Sequence, residues 1–515
     1  MNRTRLSKKE RVRQRKINRI LRTTGVIFGL IQFVVSIVFM VFLHTIALIP
    51  VIYEVLVGVI LALLVLFVFI TQRWRVPGIA TKILSLALII VLLISSVYLH
   101  VTRNVIDKIS VNNSEFEANM CVYVTKDSSI GKLEDLNNKT CGIFENIDAE
   151  LTDLMKKHIS NDTSVELNYK GCNGITGIVD TLYNGEVDAI ILNSSYVDAI
   201  VQMEGYEDFE DKTKVVYSKV FELSVDNDKK EKVRLNKDIM TVYISGIDIE
   251  GKPTTKSRSD VNIILTINFK THQILMINTP RDYYVPLSIS NGIRDKLTHA
   301  GSYGIDVSID TISMLYGINI DYYVRVNFTG FEKIIDALGG ITIYSDSDYV
   351  TLNHNIPIHK GENHLNGLET LGFVRERYSL AGGDNQRGKN QMMVIKKIIE
   401  KMCTPAMLAK YTDILDAVSE NVITDMPYSE ISNIAKMQIN ENPSWDIQTY
   451  SVDGMGAMRT TYSSSDTLSV QLPNEKTVAI AKKLLEKINS GEVINVDSFV
   501  QEIQNNNQTT KSSSN

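Results

Sequence analysis

Cysteine is scarce in this 515-residue chain. There are four, Cys121, Cys141, Cys172 and Cys403, and their spacing does not suggest a zinc site. No segment repeats at a fixed period, which argues against solenoid and propeller architectures. Ahead of the first apolar run lie only about 24 residues, with nothing like a helix-turn-helix and too little chain for an independent domain. Positive charge is also short beyond residue 100, where the formal net charge is about −16. That balance argues against non-specific nucleic-acid binding by the region. An anionic substrate stays compatible if the positive charge is gathered in one place.

Apolar residues, by contrast, are plentiful and unevenly spread. Residues 25–43, 46–70 and 79–99 form three apolar stretches, each close to or above the ~18 to 20 residues that cross a bilayer as a helix. A signal peptide has an apolar region of only ~7 to 15 residues and then a cleavage site, whereas here two more spans follow. The pattern predicts three transmembrane helices over 25–100, preceded by a basic segment, 1–24. That segment is crowded with Lys and Arg from Arg3 to Arg22 against the single acid Glu10. The positive-inside rule keeps it cytoplasmic, and close to a span it meets anionic lipid. Arg73 and Arg75 mark the second cytoplasmic loop, the first connection being the short one at His44 and Thr45. Three crossings make a multi-pass protein of the cell membrane with residues 101–515 outside. Disulfides are permitted there. Cys141 and Cys172 can pair or stand as isolated buried thiols.

Residues 111–223 alternate short apolar runs with amphipathic stretches, a βα pattern. The alternating stretches include 120–125, 139–144, 175–183 and 187–192. The phrases LEDLNNKTCGI (133–143) and LYNGEVDAIIL (182–192) resemble parts of extracytoplasmic solute-binding proteins and imply a small accessory α/β domain. A charged linker, 224–237, follows. Residues 238–402 then read as a second domain. Its strands lie over 241–245, 261–269, 273–279, 323–327 and 341–344, and residues 270–272 make the turn of a hairpin. Helices cover 330–338, stopped by Gly339 and Gly340, and 386–402, where Val394, Ile395, Ile398, Ile399 and Met402 recur at helical spacing. Residues 403–500 read as an extension packing on that domain. The polar end, 501–515, reads as disordered.

Charged residues of the second domain form a chemical set. Asp248 follows one strand and Asp260 opens the next, so both carboxylates lie at one sheet edge and can share Mg2+, which takes a few carboxylates, water and phosphate oxygens. Each could instead cap a turn. Arg258 adjoins Asp260, and Arg281 with Asp282 ends the following strand. Converging arginines repel one another unless an anion is bound, and their planar fork of donors suits phosphate. Arg375 and Arg377, one residue apart, point the same way on an extended segment. Arg387 and Gln391 share a face at the positive end of a helix, where Gly382 and Gly383 let backbone come close. Asp384 could orient or deprotonate an attacking hydroxyl, or simply cap the helix.

These residues carry a family resemblance. The ordered motifs RSD (258–260), TPRD (279–282), KLTHA (296–300), DYYVRVNFTG (321–330), DALGG (336–340) and VRERYSLAGGDNQRGKNQ (374–391) closely resemble the LytR-CpsA-Psr family over about residues 240–402. Three spans and an accessory domain are similar to its capsule-associated members. The resemblance implies an αβα catalytic domain with a central mixed sheet, after the spans and the small α/β domain. It implies a Mg2+-dependent phosphotransferase on the outer face of the membrane. Such an enzyme moves a glycopolymer, teichoic acid or capsular polysaccharide, from undecaprenyl pyrophosphate to a peptidoglycan hydroxyl. By that likeness Asp248 and Asp260 bind the metal, while Arg258, Arg281, Lys296, Arg375, Arg377, Arg387 and Gln391 hold the pyrophosphate. Asp384, Arg281, Arg377 and Arg387 then act in catalysis, and the polyprenyl chain enters an apolar pocket between sheet and helices. Many members carry an arginine just after the first acid; here Ile249 and Glu250 follow Asp248, a departure that bears on one phosphate contact and not on the metal site. The competing readings are a lipid-pyrophosphate hydrolase, with water as acceptor, and a non-enzymatic envelope sensor or transcriptional attenuator.

Overall fold

The computed structural model describes residues 8–512 apart from 110–115, 146, 164, 202, 224–237, 248–255, 381, 405–413, 415–416, 419–420 and 465–466. The expected linker, and Asp248 with Ile249 and Glu250, fall outside the described residues. The chain divides into two compact units: Met1–Lys108 with Pro427–Pro443, and Ile109–Met426 with Ser444–Asn515.

The first unit holds the helices Lys8–Ile46, Val51–Thr71 and Arg75–Ile109. Within them Val12–Ile46, Val51–Thr71 and Arg75–Val105 are long and apolar enough to cross a membrane. The first connection lies later than the sequence suggested. The first helix continues through His44 and Thr45 to Ile46. Ala47 then turns the chain with φ 48°, and Pro50 caps the second helix, where its missing N–H would be unpaired in any case. The basic residues from Lys8 onward belong to the first helix itself and form no separate segment. The unit's fourth helix, Tyr428–Glu441, comes from far along the chain.

The second unit contains two sheets. A five-stranded one has the order Asn168–Cys172, Thr140–Phe144, Ala189–Asn193, Phe116–Thr125, Thr213–Leu223. Its first two pairings are parallel and its last two antiparallel. Side chains alternate across the sheet. Val122, Val124, Cys141 and Ile191 face the helix Ala149–Asp162, while Tyr123, Cys172, Ile190 and Leu192 face the helix Ile175–Tyr183. Leu287, Ala300 and Tyr303 of the following domain join that second core, so the accessory sheet packs on the domain it precedes. Cys141 and Cys172 sit on opposite faces with staggered register, Cys141 opposite Tyr169 and Cys172 opposite Phe144. A disulfide between them is ruled out by this geometry, and all four cysteines are free. The edge strand Asn168–Cys172 escaped the sequence pattern because only its last residue is buried.

The second sheet is mixed and six-stranded, in the order Val422–Thr424, Tyr322–Asn327, Ile239–Ile247, Ser259–Asn268, Gln273–Asn278, Asp446–Ser451. Both faces are covered. Ile264, Leu275 and Ile277 meet the helices Ile305–Tyr316 and Glu475–Asn489. Ile263, Ile274 and Met276 meet Met392, Ile395 and Ile399 of the helix Gly383–Met402. Apolar residues on both faces of a strand are what a sheet buried between helix layers requires. The extension beyond residue 402 supplies both edge strands, where the sequence suggested only packing. The strand expected at 341–344 exists as Ile341–Ser345 but pairs with Gly361–Leu365, outside the main sheet. The tail expected to be disordered from Gln501 is helical as part of Val496–Ser512, because Phe499, Val500 and Ile503 pack on the core and fix the start of that helix.

Candidate active site

Sheet register gathers the site. Ser259 lies opposite Ile247, Ile263 opposite Asn278, and Asn327 is level with Ile247. Asp260, Arg281 and Phe328 therefore emerge at one end of the central strands. Two helices complete the surroundings. The first, Gly367–Arg375, starts with a reciprocal capping box between Asn366 and Glu369 and ends at Arg375. Glu376 then turns the chain extended, with φ −68° and ψ 133°, and brings Arg377 round. The second, Gly383–Met402, begins on Gly383 with φ 53°, a conformation that favours glycine, and presents Arg387 and Gln391 from its first turns.

A cavity of about 290 Å³ is lined by Asp260, Val261, Arg281, Phe328, Leu352, Asn353, Val374, Arg375, Glu376, Arg377, Tyr378, Arg387 and Gln391. Its lining includes four arginines and two acidic residues. The excess positive charge suits a multiply charged anion, and the apolar wall of Val261, Phe328, Leu352 and Val374 suits a ligand with a hydrocarbon part.

The contacts are specific. Asp260 is ion-paired with Arg281 and accepts a hydrogen bond from Thr298 Oγ1 at 3.2 Å. The Arg375 guanidinium lies 4.4 Å from the centre of the Phe328 ring, and that of Arg377 4.5 Å from Tyr378. Arg387 is paired with Asp384 at 2.5 Å. Burial pushes the Asp384 carboxyl up from its ordinary value, with Asp282 adding to the effect and Arg387, Arg281 and Arg377 opposing it. Gln391 donates to the carbonyl of Val374 at 3.4 Å. Glu376 is 1% exposed and accepts four backbone N–H groups, from Leu352, Arg377, Tyr378 and Ser379, at 2.6 to 2.9 Å. Burial raises its pKa, the four N–H groups outweigh that, and the result lies below the ordinary carboxylate value.

The structure thus brings Asp260, Arg281, Arg375, Arg377, Arg387 and Gln391 to one cavity. Three other candidates do not line it. Asp384 reaches it through Arg387; it is not the N-cap, which is Gly382. Lys296 pairs with Asp282 at 3.6 Å, and Arg258 lies before the strand that carries Asp260. Arg375 and Arg377 do not share an extended segment, since one ends a helix and the other follows the bend. Glu376, Phe328 and Tyr378 also line the cavity, and the sequence pattern does not single them out. An acid flanked by two arginines was the one signal available for Glu376.

Asp260 is the described carboxylate at the expected metal position. Mg2+ needs only one or two carboxylates when phosphate oxygens and water complete its shell; Asp260, on the cavity lining and paired with Arg281, is one oxygen donor of the kind it takes. Among the described residues no group of three or more His, Cys, Asp or Glu is gathered in a metal-binding arrangement.

The LytR_cpsA_psr family model matches residues 211–487, more than half of the chain. A model for DNA polymerase processivity factor matches residues 78–192, a stretch that begins inside the third apolar helix and ends in the five-stranded sheet. Among curated relatives, the Bacillus cereus protein named polyisoprenyl-teichoic acid--peptidoglycan teichoic acid transferase TagU is 34% identical over 232 residues, 44% of this chain and 74% of the relative. The Enterococcus faecalis protein of that name is 32% identical over 216 residues, 41% of this chain and 70% of the relative. Among solved structures, that of B. subtilis TagV covers 49% of this chain and 97% of its own, with 28% identity and a TM-score of 0.42.

Proposed function

This chain belongs to the LytR-CpsA-Psr family, and from that premise we propose that it is a phosphotransferase of the outer membrane face. It would move a glycopolymer, teichoic acid or capsular polysaccharide, from undecaprenyl pyrophosphate to a peptidoglycan hydroxyl. The names of the relatives support the transfer of teichoic acid to peptidoglycan. The observation that carries the reading on this chain is the cavity itself, lined by four arginines and by apolar side chains. The three apolar helices support a membrane-anchored enzyme, and the basic residues of the first helix support a cytoplasmic N-terminus.

In this reading Arg281, Arg375, Arg377 and Arg387, with the Gln391 amide, hold the pyrophosphate; Arg258 and Lys296 add positive potential from outside the lining. Mg2+, held by Asp248 and Asp260, would neutralise charge on the phosphate oxygens. The acceptor hydroxyl oxygen forms a bond to the phosphorus that bears the glycan. The bond from that phosphorus to the bridging oxygen breaks, and undecaprenyl phosphate leaves with the electron pair. Incoming phosphate competes with Asp384 for Arg387. The released Asp384 carboxylate, its proton affinity raised by burial, takes the hydroxyl proton. Positioning and charge stabilisation do most of the work in such transfers.

The test is product analysis. Full-length protein in lipid vesicles is given a lipid-pyrophosphate glycan, peptidoglycan and Mg2+. Glycan bonded to peptidoglycan supports the transferase; free glycan phosphate alone would make the protein a hydrolase, and lipid binding without turnover would make it a sensor.

A further inference from the structure

The helix Tyr428–Glu441 poses a question that the catalytic reading leaves open. In the chain it lies between Val422–Thr424 and Asp446–Ser451, the two opposite edge strands of the catalytic sheet. In space it belongs to the unit of the apolar helices. The chain leaves the catalytic unit after one sheet edge and re-enters it just before the other.

What the helix meets there is a set of unsatisfied acceptors. The last carbonyls of any helix lack intrahelical partners, and the first apolar helix ends at Ile46 with Ala47 turned left-handed. Tyr428 Oη donates to the carbonyl of Ile46, and Ser432 Oγ donates to that of Ala47. Spaced four apart, the two hydroxyls lie on one helix face. Arg103 of the third apolar helix donates to Thr45 O at 2.8 Å and lies 5.8 Å from the centre of the Tyr428 ring. A cation at a helix C-terminus is favoured by the helix dipole. Three successive carbonyls thus find donors, two of them on a segment nearly four hundred residues away in sequence. Ser432 is buried, 3% exposed, so this face of the helix is covered.

We propose that Tyr428–Glu441 is a latch: an interaction surface by which a segment joined through the chain to both edge strands of the catalytic sheet caps the end of the first membrane span. Its role is to secure the catalytic unit to the spans for work on a donor embedded in the same membrane. It takes no part in the chemistry. That role rests on the proposed transferase reading; the docking itself does not.

Two experiments separate these. In the first, Ala47→Cys and Ser432→Cys are introduced together into the full chain in membranes, with Cys403→Ser to remove the one cysteine that is not buried. A protease site is placed in the stretch 224–237. After treatment with a short bifunctional maleimide and cleavage, the two fragments are expected to stay joined on a denaturing gel. The pair Asp148→Cys with Lys256→Cys serves as the control, because those side chains are 3.3 Å apart across the same cleavage point. Joined fragments for the control and separate fragments for the 47–432 pair would overturn the latch. In the second, Tyr428→Phe combined with Ser432→Ala is assayed with two donors. Transfer from a vesicle-embedded long-chain donor is expected to fall at least about tenfold, a 1.4 kcal/mol effect, while use of a detergent-soluble short-chain donor is unchanged. Equal loss on both donors, or loss on neither, would overturn the role; a joined 47–432 pair with no transfer by the wild type would overturn the transferase reading and leave the docking intact.

Discussion

Replacing Glu376 by Gln should destabilise the catalytic unit far more than its chemical modesty suggests. Glu376 Oε1 accepts from the backbone N–H groups of Arg377, Tyr378 and Ser379, and Oε2 from that of Leu352. Four N–H groups on two cavity walls are thereby held by one buried carboxylate. An amide offers one oxygen. Turned to the three successive N–H groups, it leaves its own NH2 facing the Leu352 N–H, donor against donor, and a buried donor left unmet costs ~1 to 3 kcal/mol. The three remaining bonds lose their ionic assistance, which roughly doubles such bonds. Together these place the loss at about 3 to 5 kcal/mol, with measured values not strictly additive. Denaturant unfolding of the full chain in detergent, wild type against Glu376→Gln, reads the difference directly. The pH dependence gives the sign. The folded pKa of Glu376 is lowered, so its contribution is fully present above the ordinary glutamate value near ~4.3 and is lost as pH falls through the folded value. The two proteins should therefore converge in acid. A difference within about 0.5 kcal/mol at neutral pH, the range of an inconsequential surface change, would refute the reasoning.

Arg377→Ala and Arg387→Ala should each lose about 2 to 4 kcal/mol of transition-state stabilisation, a roughly 30- to 1,000-fold slower transfer, read from single-turnover rates; unchanged rates in both would remove them from the site. Because the Asp384 pKa is raised and the base must be ionised, the acidic limb of the rate profile should lie above the ordinary aspartate value of ~3.9 and should flatten in Asp384→Asn. A limb that persists in the variant would assign the proton to another group. Gly388→Ala should displace the helix that carries Arg387 and Gln391, since the added Cβ would lie 2.0 Å from Asn278 Nδ2, which itself donates to Ser451 Oγ. Overpacking of this kind costs ~1 to 3 kcal/mol, and melting temperature and transfer rate should fall together.

Much of the fold was legible because its signals are local. The three spans, the hairpin turned at His272 and the helix Gly383–Met402 announce themselves by apolar length or period. The edge strand Asn168–Cys172 does not, because solvent on most of its residues erases the alternation. Nor do Val422–Thr424 and Asp446–Ser451, whose place at the sheet edges depends on long-range pairing. The same division holds at the site. Arg281 and Asp260 could be placed together from strand order and a turn. Asp384 could not be placed, since its pairing with Arg387 depends on where Gly383 starts the helix. Glu376 was hidden because its partners are backbone N–H groups, which carry no residue identity. The latch was hidden for a related reason: its acceptors are helix-end carbonyls, and which donors reach them is decided by tertiary structure alone.

The most direct test of the central claim is the rate at which labelled glycan passes from a polyprenyl-pyrophosphate donor to peptidoglycan in vesicles, for the wild type and for Arg377→Ala with Arg387→Ala. Label should appear on peptidoglycan with the wild type, and be lost on removal of divalent cation and in the double variant. Transfer at the wild-type rate by the double variant would contradict the claim, because the arginine-lined cavity would then not be where the pyrophosphate is held.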